Sequence, residues 1–152
     1  SEYFLSKKFS SGEVPRVDVR LGRSLMIKLH EAISRGLVLS CHDLSEGGLG
    51  VALAEMCFAG GYGVIADLKM VATLPKIDRD DFILFAESNS RFIIEVPPTL
   101  EKQLLSLIDG LPISKIGKTT SDKRLIINGI SDKPIINVGL GELKKAWQSN
   151  QM

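Results

Sequence analysis

Disulfide staples, excess charge of one sign and long apolar runs are all missing from this chain, and each absence narrows its class. Only two cysteines, Cys41 and Cys57, occur in 152 residues. Two are too few for a disulfide framework, and both lie in apolar stretches, so reduced, buried thiols of a cytoplasmic chain are expected. The 19 Lys+Arg nearly cancel the 18 Asp+Glu, leaving a formal net charge of +1. That balance excludes the strong basic field of a protein that holds nucleic acid mainly through phosphates. No apolar stretch approaches the ~18 residues of a membrane span, and no charged–apolar–small signal segment opens the chain. The expected partners therefore include neither nucleic acid nor a membrane. Internal repeats, low-complexity tracts and long linkers are missing as well.

The chain does have the material for a core, with 44% hydrophobic and 24% charged residues. A chain of this size buries about 68–70% of the surface it exposes when unfolded. One domain is expected over residues 18–152, preceded by a lead-in of residues 1–17 that mixes Ser, Lys and Gly around Pro15 and reads as a strand or linker. The start at Ser1, without an initiator Met, suits a piece of a longer polypeptide.

Hydrophobic periodicity then marks the elements. Asp18 precedes a helical pattern carried by Leu21, Leu25, Leu29, Ala32 and Ile33, which Gly36 stops. The run 37–41 reads as a buried strand. Leu49, Ala52, Leu53 and Met56 recur at helical spacing until Gly60–Gly61, and Val64–Ala66 follows as a strand. Asp78 is placed to cap a short segment through Phe82, Leu84 and Phe85. Residues 91–96 form the clearest strand. Pro98 or Thr99 starts a helix through Leu100, Leu104, Leu107 and Ile108, with Gly110 as its stop. Strands near 114–118, 124–127 and 135–138 precede a last helix with Leu140, Leu143, Ala146 and Trp147. Interleaving without strict βαβ regularity indicates an α+β domain, a mixed β-sheet with helices packed on it.

The segment from Cys41 to Gly50 carries the most chemistry. Asp43 and Ser45 follow a strand, and the Gly47–Gly48 pair opens a helix. A helix start has orphan N–H groups and partial positive charge, which attract anions. Glycines let a phosphate approach the backbone closely. Asp43 is suited to a Mg²⁺ that bridges such phosphates, since Mg²⁺ takes one or two carboxylates plus phosphate oxygens. Ser45 can donate to a phosphate oxygen. The plainer alternative makes Asp43 or Ser45 an N-cap and the glycines a packing device. The segment is not a P-loop, because no Gly-Lys-Ser/Thr follows. It is a poor dinucleotide fingerprint, because Leu53 stands where a third glycine is wanted, although Asp67 lies where a ribose-binding acid would.

A second polar cluster, Glu87–Ser88–Asn89–Ser90–Arg91, interrupts two apolar stretches. It reads either as a ligand loop, with Glu87 facing a metal or hydroxyl and Asn89 and Arg91 facing phosphate or carboxylate, or as a solvated turn in which Asn89 takes an unusual dihedral. His30 and His42 read as packed or partly exposed. A Cys41/His42/Cys57 metal site has no recognised ligand spacing. Trp147 reads as core or interface packing.

Together these residues resemble a known family. His42–Asp43–Leu44–Ser45–Glu46–Gly47–Gly48–Leu49, then Ala52–Leu53–Ala54–Glu55–Met56 and Gly60–Gly61, are similar to formylglycinamide ribonucleotide amidotransferase (phosphoribosylformylglycinamidine synthase) of purine biosynthesis. Phe85–Ala86–Glu87–Ser88–Asn89–Ser90–Arg91 resembles that family's second signature, at a fitting distance. Selenophosphate synthetase and thiamine-phosphate kinase resemble the wider superfamily. The family's synthetase has two related halves. His42, where the first half typically has Gln, implies the C-terminal domain of the second half, with the three-layer fold of the aminoimidazole ribonucleotide synthetase C-terminal domain.

The resemblance implies ATP/ADP and Mg²⁺ as cofactors of the intact enzyme. It also implies two kinds of partner: the N-terminal synthetase domains of the same polypeptide and a glutaminase subunit or domain. In the family's reaction ATP activates a formamide oxygen, and glutamine-derived ammonia attacks to give the amidine. Asp43 then matches a Mg²⁺ ligand and Ser45 a nucleotide phosphate contact beside Gly47 and Gly48. Glu87, Ser88 and Asn89 match, by pseudo-symmetry, a substrate-contacting loop of the first half. Glu46 replaces the more usual Asp. No catalytic residue falls in this segment, so the chain by itself is expected to be inactive. The alternative expectation is a non-catalytic nucleotide-binding or interaction module.

Overall fold

The computed structural model describes residues 2–8, 16–73 and 76–149. Along the chain run α1 (Glu2–Ser6), α2 (Val19–Ser34), β1 (Ser40–Asp43), α3 (Gly48–Gly60), β2 (Gly63–Asp67), α4 (Asp80–Phe85), β3 (Phe92–Glu95), α5 (Glu101–Leu107), β4 (Gly117–Thr120), β5 (Arg124–Asn128), β6 (Pro134–Gly139) and α6 (Leu140–Ser149). The strands form a four-stranded sheet, ordered β4-β2-β5-β6, and a separate two-stranded ribbon, β1-β3. The pairing is mixed, since β2 and β5 run parallel and the other neighbours antiparallel. The expected α+β class with a mixed sheet is what the chain adopts.

Each sheet has its own core. Against the four-stranded sheet, Ala66, Leu125 and Ile127 pack with Leu49, Ala52, Leu53 and Cys57 of α3, Ile83 and Leu84 of α4, and Leu140 of α6. Helix α3 is the reason this core is dense: its sequence, GLGVALAEMCFAG, is apolar nearly all round, as befits a helix enclosed by neighbours. The second core is smaller. Ala32 of α2, Leu37, Leu104 of α5 and Ile108 are buried there, with Ile94 of the ribbon and Val96 just after it packed on them.

Local chemistry explains several boundaries. Asp18 accepts from the Leu21 N–H at 2.9 Å and caps α2 as expected. The expected buried strand at 37–41 is displaced: β1 is Ser40–Asp43, and Leu37 instead turns into the second core, its N–H donating to Ala32 O at 3.0 Å. Because side chains alternate along a strand, Cys41 is exposed rather than buried, while Cys57 is buried as expected. The strand expected near 114–118 is β4 at Gly117–Thr120, because its register with β2 starts at Gly117↔Ala66. Arg79, not Asp78, precedes α4, and α5 begins at Glu101, after the Pro97–Pro98 break.

The lead-in also differs from expectation. Glu2–Ser6 is helical, and Tyr3 stacks on Phe85 with ring centroids 4.5 Å apart. Residues 9–15 of that lead-in, including Gly12 and Pro15, lie outside the described residues.

Candidate functional site

Antiparallel pairing of β1 with β3 places Asp43 opposite Phe92, so the loop leaving β1 and the loop entering β3 emerge side by side. The Leu44 N–H donates to Arg91 O at 3.0 Å and continues the ladder past the strand ends. The two polar clusters, some forty residues apart in sequence, thereby meet: the Gly47 N–H donates to Glu87 Oε1 at 3.1 Å.

The glycine pair is required where it stands. Both residues are left-handed, with φ of 75° at Gly47 and 61° at Gly48. A Cβ on Gly48 would lie 2.5 Å from Ala86 O and 2.8 Å from Leu84 O, so α3 starts against the backbone that leads into the second loop. Gly47 occupies the N-cap position, and no side chain caps the helix. Ser45 contributes its carbonyl, which accepts from the Gly48 N–H at 3.1 Å, and its side chain is left exposed. Neither Asp43 nor Ser45 is therefore an N-cap, but the tight packing expected of the glycines is present. A carboxylate of the protein itself, Glu87, sits where the partial positive charge of the helix start favours an anion.

Asp43 extends into solvent at the strand end with its side chain 61% exposed, and its carboxylate lies 3.7 Å from His42 Nδ1. Among the described residues no three His, Cys, Asp or Glu side chains converge to hold a metal. A cation held at this strand end would take one carboxylate, that of Asp43, and its other oxygens from elsewhere, as Mg²⁺ can.

The second loop is internally braced. The Arg91 guanidinium donates to Ala86 O through Nη2 and, at 3.4 Å, to Ser88 O through Nε. Burial lowers its pKa from the usual arginine value. Arg91 thus holds the loop's carbonyls in place. Ser88 and Asn89 are exposed, and the left-handed residue is Ser90 (φ 60°), not Asn89. A Cβ on Gly22 of α2 would come within 2.9 Å of Ser90 Oγ, so α2 closes over this loop.

Other candidates separate from the site. Asp67 accepts from the Lys69 N–H at 2.9 Å and caps the short turn after β2, which accounts for its acid at the strand end. His30 is exposed on α2. His42 is partly shielded, with Nε2 2.9 Å from Glu55 Oε2 and Nδ1 2.6 Å from Asp43 O. Glu55 also accepts from Trp147 Nε1 at 3.0 Å, and the indole packs beside Phe58. Sequence reasoning assigned Glu55 no role. The available signal was a carboxylate in the middle of an otherwise uncharged helix.

Comparison with known proteins identifies the family of the chain. The sequence profile of the family described as AIR synthase related protein, C-terminal domain, matches residues 1–130. Phosphoribosylformylglycinamidine synthase subunit PurL of Thermomicrobium roseum is 37% identical over 140 residues, which cover 90% of this chain and 18% of that protein. The solved structure of T. maritima PurL complexed with FGAR superposes with a TM-score of 0.75 at 20% identity, covering 92% of this chain and 24% of that one. T. maritima PurL complexed with ADP superposes at 0.70 with 23% identity, over 79% of this chain and 21% of that one. The chain thus spans about a fifth of the length of the curated relatives it matches. With the profile match running through both loops and most of the chain, the chain belongs to the AIR synthase related protein C-terminal domain family.

Proposed function

We propose that this chain is the second-half C-terminal domain of an ATP-dependent amidotransferase that converts formylglycinamide ribonucleotide to formylglycinamidine ribonucleotide with glutamine-derived ammonia. The observation that carries the reading is the meeting of the two signature loops: Gly47 and Glu87 touch at 3.1 Å, with Asp43 and Ser45 exposed beside them. The PurL name of the relatives covering 90% or more of this chain, and the ADP complex of T. maritima PurL, support it.

In this reading Asp43 holds Mg²⁺, and Ser45 with Gly47 and Gly48 faces the phosphates of ATP or ADP. The metal would neutralise phosphate charge. The chain's own part is to present one carboxylate and one hydroxyl at the end of β1, with Arg91 bracing the loop of Glu87, Ser88 and Asn89 alongside. The remaining ligands come from N-terminal synthetase domains of the same polypeptide, and ammonia comes from a glutaminase subunit or domain. The chain by itself is therefore inactive. The setting is cytoplasmic; among the described residues no helix is long and apolar enough to cross a membrane.

A second reading is favoured by a specific contact. Because Glu87 already occupies the Gly47 N–H and Gly48 is pressed against Ala86 and Leu84, the glycine turn also suits an interaction module in which it only packs. The Asp43→Ala variant separates the two in the longer parent protein. It is expected to lower Mg²⁺-dependent nucleotide retention, measured by release of bound nucleotide on denaturation. Unchanged retention overturns the Mg²⁺ role and leaves the packing reading.

A further inference from the structure

We infer that Glu55 is a positioning residue that ties the Asp43 end of β1 to the C-terminal helix. It is the only charged side chain in α3, whose other residues are apolar or glycine. A carboxylate in such a helix is costly to shield from water unless its oxygens are paired. Both oxygens of Glu55 are paired. Oε2 lies 2.9 Å from His42 Nε2, and Oε1 accepts from Trp147 Nε1 at 3.0 Å. The other ring nitrogen of His42 is 2.6 Å from Asp43 O. A continuous path therefore runs from Asp43 through His42 and Glu55 to Trp147, joining β1, α3 and α6.

The path has a mechanical purpose. Among the described residues β1 pairs only with β3, so backbone hydrogen bonds secure one of its edges. Helix α3, by contrast, is anchored in the large core. Through His42, Glu55 fastens the lightly held strand end to the firmly held helix. Trp147, packed beside Phe58 of that same helix, fixes the other oxygen of the carboxylate and makes α6 part of the same unit. No other residue described here bridges these three elements through side-chain hydrogen bonds. The inference rests on the proposed function only for what Asp43 binds, not for the path itself.

The test uses the chain with ¹⁵N labelling and two readouts. Trp147 is the sole tryptophan, so its indole N–H gives a single resonance. His42→Ala, which does not touch Trp147, is expected to move that resonance, and Trp147→Phe is expected to move the ring ¹⁵N signals of His42. Glu55→Ala is expected to move both, and Glu55→Gln, which can still accept from the indole but no longer offers the imidazole N–H a carboxylate, to restore most of the Trp147 resonance and not the ring signals of His42. A Trp147 resonance unmoved by His42→Ala, in a chain whose other amide signals show it folded, overturns the inference.

The second readout is Mg²⁺·ADP binding by calorimetry in the longer parent protein, which carries the remaining ligands of the proposed site. Removal of a residue that orients a metal ligand typically costs 10–100-fold, so Glu55→Ala is expected to weaken binding roughly 10-fold. Equal affinity in Glu55→Ala overturns positioning of Asp43 while leaving the proposed function intact. If the unsubstituted parent protein binds no Mg²⁺·ADP, the proposed nucleotide role fails, and the resonances alone decide the positioning role.

Discussion

The four-stranded sheet and the two-stranded ribbon solve the same problem on different scales. The sheet is covered by α3, α4 and α6, and its core buries Leu68, Leu125, Ile127 and Cys57 almost completely. The ribbon rests on a core of four buried residues from α2, the turn after it, and α5 and its end. Yet the ribbon carries Asp43 and both polar loops. The chain therefore places its candidate chemistry on the lesser core, ties its two loops together through Gly47 and Glu87, and steadies them against the elements of the greater core: Ala86 against Gly48 of α3, and His42 against Glu55. Loops that must meet a ligand are drawn from lightly stabilised structure, provided something rigid positions them.

That division can be broken at its strongest point first. Ile127 is fully buried on β5, and Ile127→Ala is expected to cost roughly 4 kcal/mol, through lost transfer energy and a cavity the sheet cannot close. Leu104→Ala is expected to cost less, roughly 2 kcal/mol, because α2 and α5 can close over the gap in the small core. Urea unfolding of both variants checks the pair, and equal losses would remove the difference between the two cores.

The join between the regions is tested by Gly48→Ala. The new methyl meets two carbonyl oxygens and imposes a left-handed conformation on an L residue, at a combined cost of about 3 kcal/mol. Thermal unfolding measures the loss. Hydrogen exchange is expected to show it first at the second loop, in residues 86–91.

The smallest effect concerns α1. Asp81 accepts from Arg79 at 2.6 and 3.0 Å and from the Tyr3 hydroxyl at 2.7 Å, and these donors, the guanidinium foremost, hold its carboxyl down at about 2. Because the folded value lies below the ordinary one of 3.8, the ionised form favours the folded chain above about pH 4. That contribution is lost as pH falls from about 4 to 2. Asp81→Asn is expected to lower stability above about pH 4, neutrality included, and to flatten the profile between about pH 4 and 2, as followed by acid titration of circular dichroism. An identical acid limb in the variant would remove Asp81 from the anchoring of α1.

Much of this was readable in the residues. Asp18 and Gly36 bracket α2, since a side-chain acceptor and a Cβ-free residue act within a few positions of the helix end. The glycine turn before α3, the apolar strand β3 and the helix through Leu140 and Leu143 follow from equally local rules. Cys41 was misjudged because a short apolar run does not say which of its residues will pair: β1 starts at Ser40, where Glu95 lies opposite, and Leu37 leaves the strand for the second core. The helix at Glu2–Ser6 was missed because its stability comes from Tyr3 and Phe4 packing against Phe85 and Phe82, partners some eighty residues away.

The two polar clusters were recognisable singly, because each combines residue types with a definite chemistry. Their meeting was not. The sequence by itself determined where helices start, which turns need glycine, and which side chains are available to bind an anion or a cation. Only the tertiary structure decided that Glu87 would take the Gly47 N–H, that Arg91 would turn inward to brace its loop, and that Glu55 would join His42 to Trp147. The physical reason is range. Capping, dihedral preference and periodicity act over a few residues, whereas these contacts depend on the register of β1 against β3 and on the packing of α3 between α4 and α6.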